Sequence, residues 1–126
     1  MSMNREHLKE GFFHIFKAAG YSLTGLATGL RLSLAFRQET GILIALVVLL
    51  FICGKPLTTW LIALGAWLLV MMAELINTAI EEALNLITRD YNIAVKNAKD
   101  MASAAVFLML VLNAALWLCI FILDLF

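Results

Sequence analysis

The chain has 126 residues, 63% of them hydrophobic, one proline and a formal net charge of zero, with a mean hydropathy of +0.96. A soluble domain of this size is usually about half apolar, so the composition marks a small polytopic membrane protein with one domain, read as 1–126. The basic residues are few and scattered, which excludes a nucleic-acid partner.

Residues 5–30 pattern as an amphipathic helix. Leu8, Phe12, Ile15, Ala19, Leu23, Leu26 and Leu30 share one face, and Lys9, Glu10, His14, Lys17 and Tyr21 the other. That pattern suits a helix lying in a membrane interface, or a surface helix packed on protein. Charges throughout residues 1–20 argue against a cleavable signal peptide.

A first membrane helix is expected over 31–54. Its continuous apolar part, Ile42 to Cys53, is too short to span alone, which puts Ala35-Phe36-Arg37-Gln38-Glu39 at headgroup level. Gly54-Lys55-Pro56 reads as a turn, followed by a second membrane helix over 57–88 and a third over 98–124, the last with Asn113 and Trp117 as internal polar marks. Cys53 and Cys119 sit in apolar runs without metal-type spacing and read as small core residues. Arg5, Lys9, Lys17, Arg31 and Arg37 precede the first apolar run; Arg89, Lys96 and Lys99 lie between the second and third; the 54–56 turn has only Lys55. The positive-inside rule then puts the N-terminus and the 89–99 segment in the cytoplasm.

The second helix carries the chemistry. At 3.6 residues per turn, Glu74, Asn77, Thr78, Glu81 and Asn85 fall within about 120° of one another. An ionised group in a membrane helix costs at least a few kcal/mol and is there for function by default; the alternative is a polar seam between helices. Near the cytoplasmic ends, Glu74, Asn77 and Glu81 meet Arg89, Asp90, Tyr91, Lys96, Lys99 and Asp100. Carboxylates with few other ligands favour Mg²⁺, held together with phosphate oxygens. A carboxylate deeper in the low-dielectric layer suits a general base for an alcohol proton, and lysines pair with phosphates. These parts fit phosphoryl transfer to a lipid hydroxyl, and they equally fit a proton- or cation-conducting site. No G-x-x-x-x-G-K-[ST] or G-x-G-x-x-G occurs; Gly25 and Gly29 form a small-residue pair suited to close helix packing.

Four segments, Lys17–Ser22, Ala35–Glu39, Glu74–Glu81 and Ala98–Val106, closely resemble the small prokaryotic diacylglycerol kinases, over about Gly11 to Trp117. The wording around Tyr21 and Phe36 is similar to the Gram-negative branch more than to the undecaprenol kinases. The resemblance implies an all-α homotrimeric bundle of three-span chains in the bacterial inner membrane, each with an interfacial N-terminal helix, and active sites shared between subunits. It implies ATP-dependent phosphorylation of sn-1,2-diacylglycerol to phosphatidic acid with Mg²⁺. By it, Glu74 matches the general base, Asn77 a supporting polar residue and Glu81 a metal-holding carboxylate. Tyr21, Asp90, Tyr91, Asn92, Lys99, Asp100 and, at a basic position of the family, His14 fall with Glu81 at the nucleotide. Ala18, Ala19, Gly20, Tyr21, Ser22, Leu23, Ala35, Phe36, Arg37, Gln38, Glu39, Glu74, Ser103 and Trp117 fall along the lipid-binding surface.

The chain departs from the family pattern at Ser33, where a second metal-binding glutamate is expected, at His14 in place of an arginine, and at Asn85 and Asn92 in place of an aspartate and a histidine. A hydroxyl is a weaker Mg²⁺ ligand than a carboxylate, and a neutral imidazole a weaker phosphate contact than a guanidinium. Glu39 lies too far along its helix to substitute for an acid at position 33. Two alternatives follow: a kinase for another lipid alcohol such as undecaprenol, or a family member weakened in catalysis that binds lipid.

Overall fold

The computed structural model describes residues 5–126 as four helices: α1 (Arg5–Leu32), α2 (Leu34–Ile52), α3 (Leu57–Ile87) and α4 (Ile93–Trp117). Residues 1–4 of the expected single domain lie outside the described part. A five-residue π-helical turn, Leu118–Ile122, continues α4. Three helical segments, Leu34–Ile52, Leu57–Ile87 and Ile93–Ile122, are long and apolar enough to cross a membrane.

Capping chemistry sets the boundaries. Ser33, extended at φ −105°, separates α1 from α2, and its Oγ accepts the Phe36 N–H at 3.0 Å as the N-cap of α2. The expected first membrane helix, 31–54, is therefore divided near its start. Across the break the Arg37 guanidinium donates to the carbonyls of Leu30 and Arg31 at 3.0 and 3.1 Å, satisfying the open end of α1. Gly54, at φ +60°, turns the chain out of α2, and Pro56 precedes the first residue of α3. The third membrane helix starts at Ile93, earlier than the expected 98, because Asn92 Oδ1 accepts the N–H groups of Ala94 and Val95 at 2.9 and 3.2 Å. Lys96 and Lys99 are consequently helical.

Helix α3 is the centre of the bundle, packed along α4 and against α2. The core is Phe36, Leu46, Leu50, Ala63, Trp67, Val70, Met71 and Ile120. Trp67 ties three elements together: its indole N–H donates to the Glu39 carbonyl at 2.9 Å, and its ring lies against Trp117, centroids 5.0 Å apart. Trp117, expected on the lipid-binding surface, is thus half-buried against α3. Asn113, also buried, donates from its amide to the Ala66 carbonyl at 3.0 Å, a polar stitch between α4 and α3. At the far end of the bundle Lys55 bonds the Asp124 carboxylate and the Phe126 carbonyl; that hydrogen bond, reinforced by the ammonium charge, holds the Asp124 carboxyl below its ordinary range.

Helix α1 meets the bundle only through its last turns. Every described residue up to Ala27 is exposed, and Gly29 is the buried point. A Cβ on Gly29 would overlap Leu75 Cδ2 and come within 3.3 Å of Phe36 Cδ1. The Leu75 tip can rotate away but the ring is packed in the core, so Gly29→Val should lever α1 off α3. An engineered cysteine pair bridging α1 and α3 that cross-links in the parent should then lose its cross-linking, while the three apolar helices stay formed.

Candidate active site

The site is assembled at the α1–α2 elbow against the middle of α3. Glu74, only 7% exposed, accepts the Ser33 hydroxyl on Oε1 at 2.8 Å and the Thr78 hydroxyl on the same oxygen at 3.3 Å. Oε2 makes no hydrogen bond among the described residues. The carboxylate thus has one oxygen anchored and one free.

Two further polar groups share this layer. Glu39 is buried, with Oε2 unpartnered, and lies close enough to Glu74 for the two carboxylates to feel each other's charge. Glu39, expected along the lipid-binding surface, is thus placed in the packed layer between α2 and α3. Phe36 is likewise core rather than surface, while Arg37 and Gln38 are exposed and Ala35 is intermediate. Asn77 is buried one turn beyond Glu74 and its Oδ1 finds no partner. Glu81 is half-buried on the same helix, about 10 Å further along at 1.5 Å per residue.

Two cavities flank the stripe. A largely apolar cleft of about 790 Å³ lies between α1 and α3, walled by Ser22, Gly25, Leu26, Thr28, Gly29 and Leu32 on one side and Leu75, Thr78, Ala79 and the carboxylate-bearing Glu82 on the other. Thr78, which touches Glu74, is in its wall. A polar cavity of about 210 Å³ at the start of α4 is lined by Asp90, Tyr91, Asn92, Lys96, Lys99 and Asp100. Lys99 Nζ donates to Asn85 Oδ1 on α3 at 2.7 Å, and Lys96 pairs with Asp100 at 2.5 Å. Its α3 partner is a neutral amide, and among the described residues Lys99 makes no ion pair, although Asp90 and Asp100 share the cavity.

The structure therefore gathers the expected Asp90, Tyr91, Asn92, Lys99 and Asp100 around one cavity, and Glu74, Asn77 and Glu81 along one stripe. His14 and Tyr21, expected beside the nucleotide, are exposed on α1 and line neither cavity. Of the α1 residues 18–23, Ser22 alone lines the apolar cleft, and Ser103 is exposed on α4. Sequence reasoning missed the Ser33–Glu74 and Lys99–Asn85 bonds.

Among the described residues no three His, Cys, Asp or Glu side chains are grouped to hold a metal ion. Mg²⁺ asks for no such grouping, being usually held by one or two carboxylates plus substrate phosphates. Glu81 can supply such a carboxylate, and the unpartnered Asn77 Oδ1 one turn away is a spare oxygen.

These features define a class: a helical membrane protein whose buried carboxylate is hydrogen-bonded to a threonine in the wall of a largely apolar cleft, with a polar, lysine-bearing cavity at the start of the next helix. The family model described as prokaryotic diacylglycerol kinase matches residues 20–121. The diacylglycerol kinase of Escherichia coli strain K12 is 37% identical over 108 residues, 85% of this chain and 88% of that protein. Those of Haemophilus influenzae and Helicobacter pylori are 32% and 33% identical, over 85% and 86% of this chain and 91% and 84% of theirs. The chain belongs to the prokaryotic diacylglycerol kinase family.

Proposed function

We propose that the chain transfers the γ-phosphate of ATP to the free hydroxyl of sn-1,2-diacylglycerol, giving phosphatidic acid and ADP. The observation that carries this reading is the half-anchored carboxylate of Glu74, with Oε1 held by Ser33 and Thr78, Oε2 without a hydrogen bond among the described residues, and Thr78 itself in the wall of the largely apolar cleft. Acyl chains in that cleft would bring the lipid hydroxyl towards Oε2 without taking the chains out of the bilayer. Glu74 takes the hydroxyl proton as the oxygen attacks the γ-phosphorus in line, the bond to the β–γ bridging oxygen breaks, and ADP leaves. Lys99 and Lys96, at the polar cavity, supply positive charge to the phosphates. Glu81 would hold the Mg²⁺ that enters with ATP, and the ion would supply positive charge to the phosphate oxygens.

Family membership and the lysine and arginine distribution support a cytoplasmic face for the site, a bacterial inner-membrane location and a homotrimer with shared sites. In such an assembly His14 and Tyr21, free of their own bundle, would serve a neighbouring subunit's nucleotide.

Lys99→Met should lower kcat/KM for ATP by about tenfold to a hundredfold, the value of one charge-assisted hydrogen bond to phosphate, and leave KM for the lipid unchanged. Steady-state kinetics in mixed micelles checks this. The lipid assignment is tested by offering dioleoylglycerol and undecaprenol in parallel to purified protein with MgATP. Faster turnover of dioleoylglycerol is expected; product from undecaprenol alone would move the substrate, and product from neither would leave a lipid-binding protein.

A further inference from the structure

We propose that Ser33 is a positioning residue for Glu74, in place of the cation ligand that its alignment with a family glutamate suggests. The inference rests on the reading of Glu74 as the base. A serine hydroxyl has one proton to give and lone pairs to accept with. In Ser33 a lone pair is committed to the Phe36 N–H at 3.0 Å, as the cap of α2, and the proton to Glu74 Oε1 at 2.8 Å. Both residues are buried, each 7% exposed, so water does not compete for either bond.

Two consequences follow from that arrangement. The bond fixes which oxygen of Glu74 is tied down, and so which faces the substrate. It also sets the carboxylate at the N-terminal end of α2, where the helix dipole and the unsatisfied amide groups favour negative charge. Thr78 adds a longer bond to the same oxygen from the carboxylate's own helix; among the described residues Ser33 gives the one hydrogen bond that ties Glu74 to a residue outside α3. A glutamate at position 33 would do the reverse. It would remove a good helix cap and add a carboxylate to a layer that already holds Glu74 and the buried Glu39.

The test compares Ser33→Ala, Ser33→Gly, Ser33→Thr and Ser33→Glu with the parent and Glu74→Gln in mixed micelles, using MgATP and dioleoylglycerol. Glycine is included because it is tolerated at a helix N-cap, so it removes the hydroxyl with little effect on folding. Ser33→Ala and Ser33→Gly should lower kcat by about tenfold to a hundredfold, the worth of a hydrogen bond to a charged group. KM for ATP, KM for the lipid and the Mg²⁺ concentration for half-maximal rate should stay within about twofold, a split that a general loss of structure would not give. Ser33→Thr should restore turnover, and Ser33→Glu should fall below the parent. Parent-like kcat in both Ser33→Ala and Ser33→Gly, with Glu74→Gln inactive, would overturn the positioning role alone. Higher turnover and a lower Mg²⁺ requirement in Ser33→Glu would overturn it in favour of a cation shell. An active Glu74→Gln would remove the base assignment on which it stands.

Discussion

Glu74→Gln is expected to reduce turnover by about a thousandfold, the scale on which a positioned general base acts, and to leave the fold unchanged. Glutamine keeps the shape of glutamate, and its carbonyl oxygen still accepts the Ser33 and Thr78 hydroxyls that hold Oε1 at 2.8 and 3.3 Å. What changes is the second terminal atom: an amide nitrogen donates where Oε2 would accept, so the lipid hydroxyl has nowhere to put its proton. KM for ATP should move little, because the residues lining the polar cavity, Lys99 among them, are unchanged and none of them is hydrogen-bonded to Glu74. Initial rates at saturating lipid, alongside helical content by circular dichroism, check the prediction. Turnover within tenfold of the parent would assign the base elsewhere, and the buried Glu39 would be the first residue to examine.

Trp67→Ala is expected to cost about 3 kcal/mol of stability, the usual penalty for emptying a tryptophan-sized core site. Trp67 is 2% exposed. Its ring supports Trp117 on α4, and its N–H binds the Glu39 carbonyl on α2. Helices in a membrane are held by packing and interhelical hydrogen bonds more than by hydrophobic burial, so a cavity at a side chain that joins α3 to both α2 and α4 removes contacts to two helices at once. Trp67→Phe keeps most of the ring and loses the hydrogen bond, for about 1 kcal/mol. Denaturant or thermal unfolding in micelles should rank parent, Trp67→Phe and Trp67→Ala in that order. A Trp67→Ala protein as stable as the parent would show that the bundle is held together elsewhere.

The three apolar helices and the acidic stripe on α3 were legible in the sequence because both are local patterns: run length against bilayer thickness, and side-chain angle around one helix. Two boundaries were missed although their signals were present. Ser33 and Asn92 are good N-caps standing immediately before Leu34 and Ile93, and reading them so would have divided the first span at residue 33 and started the last at 93. The partners of the site were not legible in this way. Ser33 and Glu74 are 41 residues apart and Lys99 and Asn85 are 14, and only packing of separate helices brings them together. Glu39 and Trp117 were assigned to the surface by family likeness, whereas packing around Trp67 buries Glu39 and half-buries Trp117. The Ser33–Glu74 bond gives the hydroxyl at position 33 a carboxylate partner that residue type alone did not suggest.

The most direct test follows the label from ATP carrying ³²P at the γ position. Purified protein, Mg²⁺ and dioleoylglycerol in mixed micelles should give labelled phosphatidic acid in step with ADP, and Glu74→Gln should give neither. Label released as inorganic phosphate, or phosphatidic acid formed equally by Glu74→Gln, would contradict transfer to the lipid through this carboxylate.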